Sequence, residues 1–409
     1  MIEQRLDRQL RIEGWDQKRL RRAKVGVVGD DDLLASLYVM SASALGINDL
    51  VVIAPVLDPV LNTTAAKVNA RINMTHIEGF YTHPVMDDIF IGCNLIVDLS
   101  QYGLANKLLL EKGSRDNIPI IRGFCYEQGF KVFTYMKGRE WQELELTISP
   151  KNLPDNHFDD GVLGIVAAGI VLEETKNILM DHNVSEEVIS YRREKLNIAE
   201  SEPKILVVGC GALGVFAGLG LAYSKFNRVT FMDPDVTDTT NLNRQVLLYD
   251  AVGESKAETL CRRLNHFFKI ETDARVEYFE ESTDISAYDA VFDCVDNFET
   301  RIIMSEKCKA QKKTLISGGT SVSSGQVVVY NPVKDDVTPA ELLGMYDIVD
   351  ERGVDVDRRE KASCTYQPDP SVIMTNQIIG GAMVDAYRML LSGQEPGNIF
   401  YDSTGDERI

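Results

Sequence analysis

One short pattern occurs twice and constrains the fold more than any other feature of the chain. Lys24-Val25-Gly26-Val27-Val28-Gly29 recurs as Lys204-Ile205-Leu206-Val207-Val208-Gly209. Each copy is a charged residue leading into an apolar run that stops at glycine, the pattern of a buried parallel strand ending in a tight turn. A small-residue apolar stretch of helical length follows each copy, Leu33 to Leu45 and Leu213 to Tyr223. A second strand then follows each helix, Leu50-Val51-Val52-Ile53 and Arg228-Val229-Thr230-Phe231-Met232. Later strands also correspond: Asn94 to Asp98 with Asp289 to Asp293, and Ile118 to Ile121 with Thr314 to Ser317. Strands alternating with helices predict an α/β chain. The expected architecture is two Rossmann-like doubly wound domains, joined end to end as an intramolecular pseudodimer. The 409 residues accommodate both copies.

The division predicted is residues 1–180, a linker at 181–203, and residues 204–409. Ser185 to Glu200 is charged and helix-compatible, so the linker is expected to be helical. Lys334 to Lys361 is polar and reads as an exposed loop within a crossover at about 334–370. The apolar stretch Ser371 to Leu391 matches Gly164 to Met180 of the first copy.

The net charge is −19, from 43 basic and 62 acidic residues, which disfavours broad binding to nucleic acid or an anionic membrane. No apolar run reaches the length of about 18 residues that spans a bilayer. The first residues lack the apolar core of a signal peptide. Seven scattered cysteines, none in C-x-x-C spacing, argue against a zinc knuckle and for a reducing, cytoplasmic setting.

Gly209-Cys210-Gly211-Ala212-Leu213-Gly214 forms a G-x-G-x-x-G turn between strand and helix. Such glycines permit the turn and let a nucleotide's phosphates approach the helix N-terminus. Asp233 ends the next strand, where a carboxylate accepts hydrogen bonds from ribose hydroxyls. A structural glycine turn with a solvated Asp is the bland alternative, and this fingerprint alone does not separate a nicotinamide dehydrogenase from an ATP user. The next residues do. Asp233-Pro234-Asp235, Asn241-Leu242-Asn243-Arg244-Gln245 and Lys256 place two cations just beyond the ribose position, which suits a triphosphate better than a hydride donor. Cys294-Val295-Asp296-Asn297 then puts a carboxylate after another strand, where it could hold Mg²⁺. Taken singly, Arg244 is equally a surface arginine, Lys256 a helix-face lysine and Asp296 a helix cap.

Together, in this order and spacing, these motifs resemble the ubiquitin-activating-enzyme superfamily, also called the HesA/MoeB/ThiF family. The resemblance implies ATP·Mg²⁺ binding and adenylation of the C-terminal glycine carboxylate of a ubiquitin-like protein ending in Gly-Gly. It implies glycine-turn contacts at Gly209, Gly211 and Gly214, and nucleotide contacts from Asp233, Asp235 and Asn241. Phosphate contacts would come from Arg244 and Lys256, and metal or phosphate-side positioning from Asp296. The opening segment Arg5 to Trp15 is also similar to the family's. There an arginine enters the partner's ATP site, and Arg8 matches it; here the partner would be the second half of the same chain. The bland reading of this segment is an amphipathic helix with solvated arginines.

The first half lacks the same groups. Gly29-Asp30-Asp31-Asp32-Leu33-Leu34 keeps only the first glycine, Pro55 stands where Asp233 does, and Gln101 stands roughly where Asp296 does. Three carboxylates at the turn would repel ATP, so this half is expected to be silent while contributing Arg8. Cys364, beside Lys361, sits where similar proteins place a crossover-loop cysteine that forms a thioester, a persulfide or an acyl disulfide. A packing role is the usual alternative for a lone cysteine. The missing C-x-x-C pairs argue against close kinship with sulfur-carrier activators. No ubiquitin-fold domain precedes Ile409, which puts transfer to a conjugating enzyme in doubt; a conjugating or sulfur-transfer partner downstream stays open. The rival readings are adenylation of a peptide or small molecule, and a non-catalytic nucleotide-binding scaffold.

Overall fold

The computed structural model describes residues 4–136, 138, 148–151, 157–198, 202–352, 369–404 and 408–409. Two seven-stranded sheets carry the chain. The first contains β1 (Lys24–Val28), β2 (Asp49–Ala54), β3 (Asn73–Glu78), β4 (Leu95–Asp98), β5 (Ile120–Tyr126), β6 (Gly129–Tyr135) and β7 (Ile189–Arg192). The second contains β8 (Ile205–Val208), β9 (Val229–Met232), β10 (Thr272–Arg275), β11 (Ala290–Asp293), β12 (Thr314–Thr320), β13 (Ser324–Tyr330) and β14 (Ile399–Asp402). Their orders are β3-β2-β1-β4-β5-β6-β7 and β10-β9-β8-β11-β12-β13-β14, the same permutation twice. In each sheet the first five strands pair in parallel, and the last two pairings are antiparallel. The two Rossmann-like domains expected from the repeat are therefore present. The two antiparallel pairings that extend each sheet are an addition to that expectation.

The helices in chain order are α1 (Asp7–Leu10), α2 (Gln17–Arg22), α3 (Leu33–Leu45), α4 (Pro59–Val68), α5 (Gly103–Asp116) and α6 (Gly161–Met180). The second half adds α7 (Ala212–Tyr223), α8 (Lys256–Phe268), α9 (Phe298–Gln311), α10 (Pro339–Leu342), α11 (Met345–Arg352) and α12 (Ile373–Leu391). Helices α3, α6, α7 and α12 are apolar nearly all round, which fits helices buried on every side. They form the layer between the two sheets. Small residues let α6 and α12 approach closely: a Cβ at Gly169 would lie 2.6 Å from Ile378, and one at Gly381 would lie 2.7 Å from Val166. One apolar core runs continuously through this layer from Leu20 to Tyr401.

Two expectations are corrected. The linker expected to be helical over Ser185 to Glu200 is not so in its described residues, 185–198, whose centre is the edge strand β7. Ile189 is buried and Ser190 exposed, a two-residue alternation, and Tyr191 stacks on Phe130 of β6 at 5.5 Å. The segment is also tied to the second half. Arg193 pairs with the fully buried Asp385 of α12 at 2.9 Å, and Arg388 of α12 pairs with Asp160, the N-cap of α6, at 2.7 Å. The polar stretch from Lys334 is likewise not all loop. Thr338 and Glu341 form a capping box with Pro339 in the first turn, and α10 and α11 follow. Among the described residues, no helix is long and apolar enough to cross a membrane.

Candidate active site

In each sheet the crevice lies where the strand order reverses, outside the carboxyl ends of the strands. In the second sheet these are the ends of β8, β9 and β11. Strand β8 stops at Val208 because Gly209 turns with φ +96°, and a Cβ there would lie 2.6 Å from the Cys294 carbonyl. Gly214 packs the first turn of α7 against this loop; its Cβ would fall 1.9 Å from the Gly209 carbonyl. Gly211 differs: nothing but Gln245 Nε2, 3.8 Å away, lies near its missing Cβ. It is the N-cap of α7 and supplies no side-chain cap, so the helix start faces the crevice with backbone N–H groups. Gly214→Ala is expected to cost about 1–3 kcal/mol, as overpacking against backbone does. Gly211→Ala, with room for its Cβ, is expected to cost less than about 1 kcal/mol. Thermal melting of the two variants checks the contrast.

Asp233, at the end of β9, is buried and staples the turn. Its Oδ2 accepts from Cys210 N at 2.6 Å and its Oδ1 from Asp235 N at 2.8 Å. Burial pushes its carboxyl up, while Lys256 and the two backbone donors oppose that shift. Lys256, the first residue of α8, donates to Asp235 Oδ2 at 2.8 Å, and its backbone N–H donates to the Asp235 carbonyl. Asn241 closes a capping box with Asp238, accepting from Asp238 N at 3.1 Å. That turn presents Arg244, whose Nη1 donates to the Thr240 carbonyl at 3.0 Å and to Asn243 Oδ1 at 2.8 Å.

Arg8 arrives from the other half. Its Nη1 donates to the Asp369 carbonyl at 2.7 Å, and its own carbonyl accepts from Ser371 N at 3.4 Å. Burial brings Arg244 down to about 9, with the charge of Arg8 adding to that shift while Asp296 and Asp238 oppose it. Arg8, Arg244, Asp238 and Asp296 therefore lie within electrostatic reach of one another. Asp238 in turn feels both Arg8 and Lys256. Asp296 stands exposed past the end of β11 and is not the helix cap: Asn297 caps α9, accepting from Thr300 N at 2.7 Å. Among the described residues no three His, Cys, Asp or Glu side chains gather as a metal cage. The exposed carboxylate of Asp296 would fit Mg²⁺, which takes one or two carboxylates and completes its shell with phosphate oxygens and water.

The corresponding turn of the first half is filled by the protein's own groups. Asp32 caps α3 through Leu34 N at 3.2 Å, and Asp159 accepts from Leu33 N at 3.2 Å. Gln101 donates its backbone N–H to Asp30 at 2.5 Å and its side-chain amide to Asp32 at 2.7 Å. His157 hydrogen-bonds Asp31 through Nδ1, and its Nε2 lies 3.3 Å from Asp30. Burial pushes Asp32 up to about 8, with the charges of Asp30 and Asp159 adding to the shift. The N–H groups that face the crevice in the second half here point at carboxylates.

The structure thus brings together Arg8, Gly209, Gly211, Gly214, Asp233, Asp235, Asn241, Arg244, Lys256 and Asp296. Cys364 lies outside the described residues. Four residues of the site were not singled out from sequence: Gln9, Asp238, Asn243 and Arg301. Arg301 is buried behind β11, donating to Asp293 at 3.3 Å and to the Gly318 carbonyl at 2.7 Å. Asn243 lay within a recognised motif and Gln9 beside Arg8, but their pairing across 234 residues has no local signal.

The ThiF family model matches residues 191–403. The adenylyltransferase and sulfurtransferase MOCS3 of Mus musculus is 33% identical over 159 residues, covering 36% of this chain and 35% of the relative. The adenylyltransferase and sulfurtransferase UBA4 of Candida albicans is 36% identical over 133 residues, covering 31% and 30%. The chain thus spans about a third of the length of the curated relatives it matches. Among solved structures, E. coli MccB with ATP aligns over 51% of this chain and 62% of its own, with a TM-score of 0.40 and 19% identity. With its family model covering more than half of its length, from β7 to β14, the chain belongs to the ThiF family.

Proposed function

We propose that the second half binds ATP with Mg²⁺ and adenylates the C-terminal glycine carboxylate of a ubiquitin-like protein, while the first half binds no nucleotide and supplies Arg8. One observation carries this reading. An open glycine turn, three cationic side chains from both halves and an exposed carboxylate converge outside the ends of β8, β9 and β11. In a chain of net charge −19 such a convergence of cations calls for a strongly anionic ligand.

The chemistry is direct. A carboxylate oxygen of the substrate attacks the α-phosphorus, the bond from that phosphorus to the bridging oxygen breaks, and pyrophosphate leaves with the electron pair. The attacking group is already ionised, so no general base is required. The work of the protein is positioning and charge neutralisation. The backbone N–H groups at Gly211 and the start of α7 receive phosphate oxygens. Arg244 and Arg8 neutralise charge on the transferring and leaving phosphates, Lys256 exchanges its partner Asp235 for phosphate, and Asp233 turns its remaining lone pairs to the ribose. Mg²⁺, held by Asp296 together with phosphate oxygens, would supply further neutralisation of the polyphosphate.

The test is ATP–pyrophosphate exchange with a panel of small proteins ending in Gly-Gly, beside calorimetric titration with ATP and Mg²⁺. One ATP per chain and exchange dependent on the added protein are expected. A stoichiometry near two, or tight NADH binding with no ATP binding, would overturn the reading.

A further inference from the structure

Between the two halves runs a chain of amides with no exposed member. Gln9 and Asn243 are both fully buried. Gln9 Nε2 donates to the Leu45 carbonyl at 2.9 Å and to Gln17 Oε1 at 2.6 Å. Gln9 Oε1 accepts from Asn243 Nδ2 at 3.0 Å, and that amide also donates to the Ser371 carbonyl at 3.2 Å. Asn243 Oδ1 accepts from Arg244 Nη1 at 2.8 Å. The direction of the chain is fixed at both ends. Backbone carbonyls only accept and a guanidinium only donates. Flipping either amide would therefore set acceptor against acceptor at one end and donor against donor at the other.

The acceptors on Arg244 have a second property. Asn243 Oδ1 and the Thr240 carbonyl are neutral, so they orient the guanidinium without cancelling its charge. A carboxylate in the same place would compete with a phosphate for it. Arg244 needs such a hold, because it is buried and shares its surroundings with Arg8, a like charge. Both effects favour a side chain turned out to water.

We propose that Gln9 and Asn243 are positioning residues, a buried amide relay through which the first half sets the Arg244 guanidinium for its phosphate contact. The proposal rests on the adenylation reading in one respect, that Arg244 grips phosphate. It adds that the first half contributes a fixed orientation as well as the side chain of Arg8.

The test is a double-mutant cycle read by ATP titration and by the kcat and KM of pyrophosphate exchange. Gln9→Met keeps the volume, and it leaves the Leu45 carbonyl its other donor, Gln17 Nε2 at 3.1 Å. Asn243→Ala is the second variant and carries the test if the first does not fold. Each is expected to weaken ATP binding about tenfold, the size of one hydrogen bond to a charged group. In an Arg244→Ala background the same substitutions are expected to change ATP binding less than about twofold, since the relay then has nothing to position. An equal loss in both backgrounds means a purely structural role and overturns the relay. So does normal ATP binding by Gln9→Met and Asn243→Ala while Arg244→Ala is impaired, an outcome that leaves the nucleotide site standing. If Arg244→Ala itself binds ATP normally, the phosphate role of Arg244 falls and the relay falls with it.

Discussion

Arg8→Ala is expected to lower adenylation by about 10²-fold or more, comparable to removing one preorganised transition-state donor. The structure gives this expectation a physical basis. Leu6 and Gln9 on either side of Arg8 are fully buried, and Arg5 is buried against the Ala44 carbonyl, so the segment is anchored without help from Arg8. Arg8 itself is only part-buried, and its side chain donates to the backbone carbonyl of Asp369 at an exposed position. Removing it therefore costs little stability, and the melting temperature is expected to stay within a few degrees. Arg8→Lys is expected to recover part of the loss, because an ammonium restores the charge but not the planar fork. The measurement is initial-rate exchange at saturating ATP, with calorimetry to separate binding from turnover. Unchanged turnover in a folded Arg8→Ala variant would refute the arginine-finger role.

What was legible in the sequence was local. The turn after Val208 is written in its glycines, because Gly209 and Gly214 each sit where a Cβ would strike backbone. Helix α3 matches the expected Leu33 to Leu45 because an apolar stretch of small residues ends at Gly46, a left-handed C-cap. What was not legible was long-range or ambiguous. Charged residues around Ile189 suit an exposed helix as well as an edge strand, and pairing with β6 decided between them. A silent first turn was expected from Asp30, Asp31 and Asp32, the missing glycines, Pro55 and Gln101. The structure adds His157 and Asp159, distant in sequence, as groups that occupy it. It also refines the correspondence of the halves. Asp98 matches the buried Asp293, each ending its strand and each held by a serine, Ser100 or Ser317. Gln101, three residues on, is the counterpart of the exposed Asp296.

The nucleophile is the second large expected effect. Cys364→Ala is expected to keep ATP–pyrophosphate exchange and to abolish every thiol-sensitive adduct between the chain and its substrate protein. The six other cysteines, Cys93, Cys125, Cys210, Cys261, Cys294 and Cys308, are all buried. Burial pushes each of their thiols up, to about 11 for Cys93 and Cys261 and about 12 for Cys308. A thiol so disfavoured as a thiolate is a poor nucleophile near neutral pH. Cys210 and Cys294, although next to the glycine turn, belong to the apolar core. That leaves Cys364, five residues before Asp369, whose carbonyl Arg8 holds beside the site. If the acyl group is transferred to the chain, the Cys364 thiolate would attack the acyl carbon, a thioester would form, and AMP would leave with the electron pair of the broken acyl–phosphate bond. Exchange needs only the earlier adenylation step and is therefore expected to survive the substitution. A non-reducing gel run beside the exchange assay separates the two steps. An adduct that persists in Cys364→Ala would assign the nucleophile to one of the buried thiols and require the core around it to open. A wild type that exchanges pyrophosphate yet forms no adduct with a verified substrate would mean that the reaction stops at the adenylate.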